Sequence, residues 1–160
     1  MLGMAGAVFV LVVISASCTK TEAPAPQPPP KPLKQGLPPF KVGAQLQTSM
    51  TLVVDQDTPR EGLRLLLLAF RTAREQGRFG ELIPPTTPKG NAGPYAIVNV
   101  YVMGDPTWAD EEHLRKALDS GVGDDFTWSF DRRTLATYSM SRFGGLSELA
   151  GLGANGGKNQ

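Results

Sequence analysis

The stretch Tyr95–Met103, YAIVNVYVM, decides how the rest of this chain is read. It is almost continuously apolar and rich in β-branched residues, with Val98, Val100 and Val102 on one parity and Ile97 on the other. Runs of this kind, lacking a polar face, belong to strands covered on both sides, so the stretch predicts the central strand of a sheet. Gly104-Asp105-Pro106 ends it. Thr107-Trp108-Ala109-Asp110 then supplies a capping residue, and Glu111 and Glu112 follow it in an acidic first turn. That pattern predicts a helix whose Leu114, Ala117 and Leu118 point inward and which Gly121 stops. Beyond it, Phe126 to Phe130 and Leu135 to Met140 read as strands joined at Asp131-Arg132-Arg133, either as a hairpin or as one long bulged strand.

On the amino-terminal side, Ile83 to Pro94 (IPPTTPKGNAGP) holds four prolines and two glycines and predicts a loop. Before the loop, Thr58-Pro59-Arg60-Glu61 combines a capping Thr, a Pro at the first helical position and a Glu able to bond back to the cap. A helix should start there, with Leu63, Leu66, Leu67, Phe70 and Ala73 on its buried stripe and Gly77 as its stop. Val42, Ala44, Leu46, Thr48, Met50, Leu52 and Val54 recur at period two and predict a strand with a bend or turn near Gln47 to Ser49. The order is β-α-β-α-β-β. It predicts an α/β fold over residues 40–142, a small two-layer sandwich of two helices on a mixed sheet. From Phe143 onward, FGGLSELAGLGANGGKNQ carries six glycines and reads as a disordered tail over 143–160.

Composition bounds the rest. A chain of 160 residues has room for one such domain. With 16 Lys+Arg against 15 Asp+Glu, no global field draws it to nucleic acid. The 14 prolines and 18 glycines exceed what a compact domain of this length uses, so many must lie outside it. One Cys and one His exclude a disulfide framework and a Cys/His zinc cluster.

The one cysteine is placed informatively. Ala5 to Ile14 (AGAVFVLVVI) is an apolar run of ten, followed by Ser15, Ala16, Ser17 and then Cys18. Such a run is shorter than the roughly 20 residues needed to cross a bilayer and has the length of a signal-peptide core. Small residues before a cleavage point complete that pattern. The arrangement resembles the lipobox of bacterial lipoproteins, in which a signal peptide, here 1–17, is removed and the cysteine thiol is diacylated. The resemblance implies that Cys18 is lipidated and that the lipid bilayer is a partner. Thr19, where an Asp would retain a lipoprotein in the inner membrane, then points to the outer membrane facing the periplasm.

Residues 18–39 join that cysteine to the domain. Eight of the fourteen prolines fall between Thr19 and Phe40, which favours an extended polyproline spacer over helix or sheet.

Candidate sites in the domain are few. Arg60, Arg64, Arg71, Arg74 and Arg78 lie along the first helix, and guanidinium forks suit phosphate and carboxylate, so this stripe is the candidate binding surface for an envelope protein or cell-wall polymer. Trp108, Trp128, Tyr101 and Tyr138 are rigid anchors of the interface type, at least two of them expected in the core. His113 reads as a surface side chain. Asp105, Asp110, Glu111 and Glu112 do not have the spacing of a calcium loop and read as helix-start acids, so no metal and no cofactor are expected. No nucleophile with a partner, phosphate loop or carboxylate pair is apparent. The reading is a membrane-anchored envelope lipoprotein presenting a small binding or adaptor domain. The alternatives are an envelope hydrolase using Asp105, Glu111 or His113, and an immunity or phage-encoded lipoprotein.

Overall fold

The structure, a computed structural model, describes residues 31–87, 93–121 and 123–154. Cys18, the signal-like segment and the prolines of 24–30 lie outside the described residues, as do 155–160 of the tail. The described chain forms β1 (Phe40–Leu46), β2 (Ser49–Val54), α1 (Arg60–Gln76), β3 (Ile97–Met103), α2 (Glu111–Asp119), α3 (Asp125–Arg133), β4 (Thr134–Ser141) and β5 (Ser147–Leu152). The five strands stand in the sheet in chain order, with β2 and β3 parallel and every other neighbour antiparallel. This is a small α/β domain on a mixed sheet, as expected, with a third helix and five strands.

Ile97–Met103 of this stretch is the middle strand of the sheet; one face is fully covered, while on the other only Met103 is buried and Ile97, Asn99 and Tyr101 stay partly exposed. Val98, Val100 and Val102 meet α1, whose Leu63, Leu66 and Phe70 are buried against Met50, Leu52 and Tyr138. Fully burying one such side chain contributes about 1.5–3 kcal/mol, so this face carries most of the stability. Met103, on the other parity, packs with Val53, Ala109, Leu114 and Phe130 under α2 and α3.

The predicted first strand is a hairpin. Gln47 takes a positive φ of 48° at its tip, and Leu46 pairs with Ser49. A bulge between Val42 and Ala44 brings Gly43 to the backbone of the segment before α2, where a Cβ would stand 2.6 Å from the Ala109 carbonyl oxygen. The Thr51 hydroxyl ties the same point: it donates to Ala109 O and accepts from Ala44 N–H at 2.8 Å.

α1 begins as expected but without the capping box. Thr58 Oγ1 donates to Asp55 O at 2.6 Å, closing the β2–α1 turn, and Pro59 occupies the cap position with no side-chain bond. Gly77 ends the helix in the left-handed region at φ 66°. Asp105 caps a short 3-10 turn over Pro106–Trp108, and Asp110 caps α2 by accepting from His113 N–H at 2.8 Å.

Leu118 of α2, expected to point inward, is 43% exposed, and Leu114 is the buried residue of that helix. Three further expectations are corrected. Phe126 to Phe130 is helical, not a strand. Asp124 caps α3 through Phe126 N–H at 2.7 Å, and Arg132 and Arg133 sit in its last turn, where the helix dipole favours cations. Phe126 and Phe130 are four apart and share the buried side of the helix, so spacing that reads as alternation is also one helical turn. The second correction concerns the tail. Gly144 and Gly145, with φ of 73° and 114°, reverse the chain after β4, and Ser147–Leu152 adds β5 against it.

The third correction is the linker boundary. Residues 31–39 fold onto the domain: Leu33 and Leu37 pack on the α1-side core, Arg78 Nη2 donates to Lys31 O at 3.1 Å, and Leu33 N–H donates to Glu81 at 3.3 Å. The folded unit therefore begins at Lys31. The described ends of the Ile83 to Pro94 loop are anchored too, with Thr86 Oγ1 donating to Ile97 O at 2.6 Å and Tyr95 O–H to Ile83 O at 3.0 Å.

Candidate functional site

The five arginines of α1 and its end do not form one open stripe. Arg60 opens the helix and is exposed, and Arg64 reaches Glu61 at 3.7 Å on the solvent side. Arg71 and Arg74 turn to Glu148 of β5, their Nε atoms 3.6 and 3.2 Å from its carboxylate, while Arg74 Nη2 also meets Glu75 at 2.9 Å. Arg78 forks onto Glu81 at 2.6 and 2.8 Å, and this hydrogen-bonded pairing holds the Glu81 carboxyl below its usual range. Four of the five are thus engaged by carboxylates of the fold itself.

Glu148 is the residue that sequence reasoning missed. Its Oε1 accepts from the Tyr138 hydroxyl at 2.8 Å, and its side chain is only 15% exposed. Burial, and after it the neighbouring carboxylate, push the Tyr138 hydroxyl far above its ordinary pKa. The cluster pins β5 and α1 to each other beside the sheet. The signal lay in the alternation of Glu148, Ala150 and Leu152 after Gly144-Gly145, which a glycine-rich reading of the tail conceals.

On the opposite face, aromatic rings and cations stack in series. The Trp108 ring lies 4.7 Å from that of His113 and 5.6 Å from that of Phe126. The Arg133 guanidinium covers Trp108 at 3.9 Å, and Lys116 Nζ covers Phe126 at 4.3 Å. His113 Nδ1 meets Asp110 Oδ1 at 2.8 Å. The Asp110 carboxyl is lowered by accepting the His113 backbone N–H and then by the ring. Asp105 is likewise lowered, first by the Thr107 hydroxyl and backbone N–H, and Glu111 pairs with Arg115. No hydrogen bond joins any two of Asp105, Glu111 and His113, the residues a hydrolase would draw on. Among the described residues, no group of three or more His, Cys, Asp or Glu side chains is placed to hold a metal ion.

Of the four aromatic anchors, Tyr138 is fully buried, Tyr101 and Trp108 are half-buried on the second core, and Trp128 is 59% exposed. Arg132 lies 4.4 Å over the Trp128 ring, and the two border a shallow hollow of about 330 Å³ with Asp131, Thr134 and Thr137. An exposed indole beside a carboxylate and a guanidinium offers stacking area together with a donor and an acceptor. No described helix is long and apolar enough to cross a membrane. Neither a protein-family model, nor a curated protein, nor a solved structure matches this chain.

Proposed function

We propose that this chain is a lipoprotein of the bacterial cell envelope, fixed to a bilayer through acylated Cys18, and that its α/β domain is a binding head for an envelope protein or cell-wall polymer. The observation that carries the reading is the placement of the only cysteine directly after AGAVFVLVVI and Ser15-Ala16-Ser17. Chemistry favours the anchor. Each buried methylene contributes about 0.8 kcal/mol, so one acyl chain holds reversibly and two or three hold stably. Thr19 after the cysteine directs the protein to the outer membrane under the sorting that the resemblance implies. The head folds from Lys31 onward, and the exposed Trp128 with Arg132 and Asp131 is the surface best suited to grip a partner, because rigid aromatic and arginine side chains dominate contact energies.

Mass spectrometry of the mature amino terminus tests the anchor. We expect a chain that begins at Cys18 and carries acyl groups, and Cys18→Ser should leave the protein unacylated and lost from the outer-membrane fraction. A native chain that keeps residues 1–17 and carries no lipid refutes the proposal.

A further inference from the structure

We propose that the solvent side of α1, with residues 31–39 beside it, is a docking face for a lipid surface, the anionic phosphate head groups of the bilayer that holds the anchor. The inference rests on the tether at Cys18 proposed above and adds to it a fixed orientation of the head.

The point where the chain enters the fold comes first. Residues 31–39 run beside α1 from its carboxy-terminal end, where Arg78 Nη2 donates to Lys31 O at 3.1 Å, to its amino-terminal end, where Pro38 stands 3.7 Å from the position a Gly62 Cβ would take. Between these ends Leu33 and Leu37 pack into the same core as α1. Lys31, the first residue of the folded unit, is therefore on the α1 side of the sheet. Residues 18–30 between it and the cysteine reach at most about 45 Å. A tether joined at that point brings the α1 side to a bilayer with the least chain, whereas to bring α2 and α3 there it would have to pass round the sheet.

Charge divides the domain the same way. Residues 31–39 and 60–81 hold seven Lys and Arg against three Glu, and Glu148 of β5 is a fourth acid on that side. Seven against four leaves a surplus of three positive charges after the arginine pairings, and Lys31, Lys34 and Arg60 are all exposed. Residues 105–133, which carry α2 and α3 on the other side, hold four Lys and Arg against eight Asp and Glu. The formal +1 of the whole chain thus conceals one basic face and one acidic face. An anionic surface attracts the first and repels the second, over about 10 Å at moderate salt.

The middle of the basic face is apolar. Leu65 and Leu68, 40% and 53% exposed, lie one turn apart on the solvent side of a helix whose other side fills the core. Arg64 and Arg71 stand one turn before and one turn after Leu68. Exposed leucines alone are ordinary. Leucines among cations suit a headgroup layer, where the apolar side chains sink below the phosphates that the cations meet. Two leucines bind weakly, and the tether compensates by holding the head at an effective concentration on the order of millimolar. The orientation also has a use: Trp128 and its hollow belong to α3, on the far side of the sheet, so a head docked through α1 presents them away from the membrane.

The test couples the chain from residue 18 onward, through the Cys18 thiol, to a maleimide lipid in vesicles of phosphatidylcholine with or without phosphatidylglycerol. With phosphatidylglycerol present, brominated lipid should quench the added emission of Leu68→Trp and leave that of Leu118→Trp, on α2, unchanged. In free solution the same chain carrying Cys18→Ser should partition onto the phosphatidylglycerol vesicles. Arg60→Glu and Leu68→Glu should each lower that partition at least about fivefold with the melting temperature retained, while Leu118→Glu does not. Quenching at position 68 no greater than at 118, or equal on phosphatidylcholine alone, overturns the inference. So does retention on peptidoglycan through Arg60 and Leu68 without docking on the vesicles, because the face then serves a polymer. The coupling is chemical, so none of these outcomes depends on acylation in the cell, which the mass of the mature amino terminus decides.

Discussion

Replacing Glu148 by Ala should loosen β5 and cost the domain about 2–4 kcal/mol. The magnitude has two parts. Tyr138 is fully buried, and its hydroxyl donates to Glu148 at 2.8 Å, so truncation leaves a buried donor unpaired, which costs about 1–3 kcal/mol. The ion pair with Arg74 adds less than a fully buried one would. Both side chains are about one-sixth exposed, at 16% and 15%, and Arg74 keeps Glu75 at 2.9 Å, so the added loss is about 1 kcal/mol. Urea unfolding followed by circular dichroism reads the total, and the melting temperature should fall by roughly 3–5 °C for each kcal/mol lost. Glu148→Gln keeps an acceptor for the tyrosine and should cost about half as much. The sharper measurement is the double-mutant cycle with Tyr138→Phe. Removing the hydroxyl also removes the orphan, so the second substitution should be far milder in the Glu148→Ala background, with a coupling of about 1 kcal/mol or more. A Glu148→Ala protein within about 0.5 kcal/mol of the parent, or a strictly additive cycle, would refute the claim that this carboxylate holds the edge strand to α1.

Gly43→Ala should destabilise by about 1–3 kcal/mol in thermal melts, because the added methyl meets Ala109 O at 2.6 Å and Thr51 Oγ1 at 2.8 Å; Gly121→Ala, with nothing within 4 Å, should be close to neutral. Stability should also decline as pH rises above about 10, where tyrosines of the unfolded chain ionise while Tyr138 in the fold keeps its proton. The folded hydroxyl is raised, so its contribution is complete below the unfolded value and is lost above it. Tyr95 and Tyr101, raised by burial, act in the same direction. Tyr138→Phe should make the alkaline slope of unfolding free energy shallower, and an unchanged slope would refute the assignment.

Much of this fold is legible in the sequence where one physical signal acts alone. β3 announces itself through unbroken branched apolar residues, and α1 through five leucine-type positions and Gly77. Errors arise where two periods coincide or where a signal is diluted. Phe126, Trp128 and Phe130 alternate as a strand would, yet Phe126 and Phe130 also lie one turn apart on a helix, and the cap at Asp124 decides between them. β5 hides because glycines serve both disordered tails and tight turns. Only the positive φ of Gly144 and Gly145 distinguishes the two uses, and composition does not report φ. The arginines were legible as residues but not as a site. Glu148 comes from the far end of the chain and Glu81 from only three residues past Arg78, and the pairings exist only once β5 and the 3-10 turn at Phe79–Glu81 are in place.

The folding of residues 31–39 onto the domain changes what a tether at Cys18 can do. A spacer running to residue 39 would let the head stand well clear of a bilayer. With Leu33 and Leu37 in the core and Lys31 bonded to Arg78, only residues 18–30 remain between the cysteine and the fold. Whatever conformation those thirteen residues take, chain geometry limits their span to about 45 Å. Under the proposed anchoring, heads on neighbouring lipids share a thin layer above the membrane, and confinement of that kind raises their effective concentration over that in free solution.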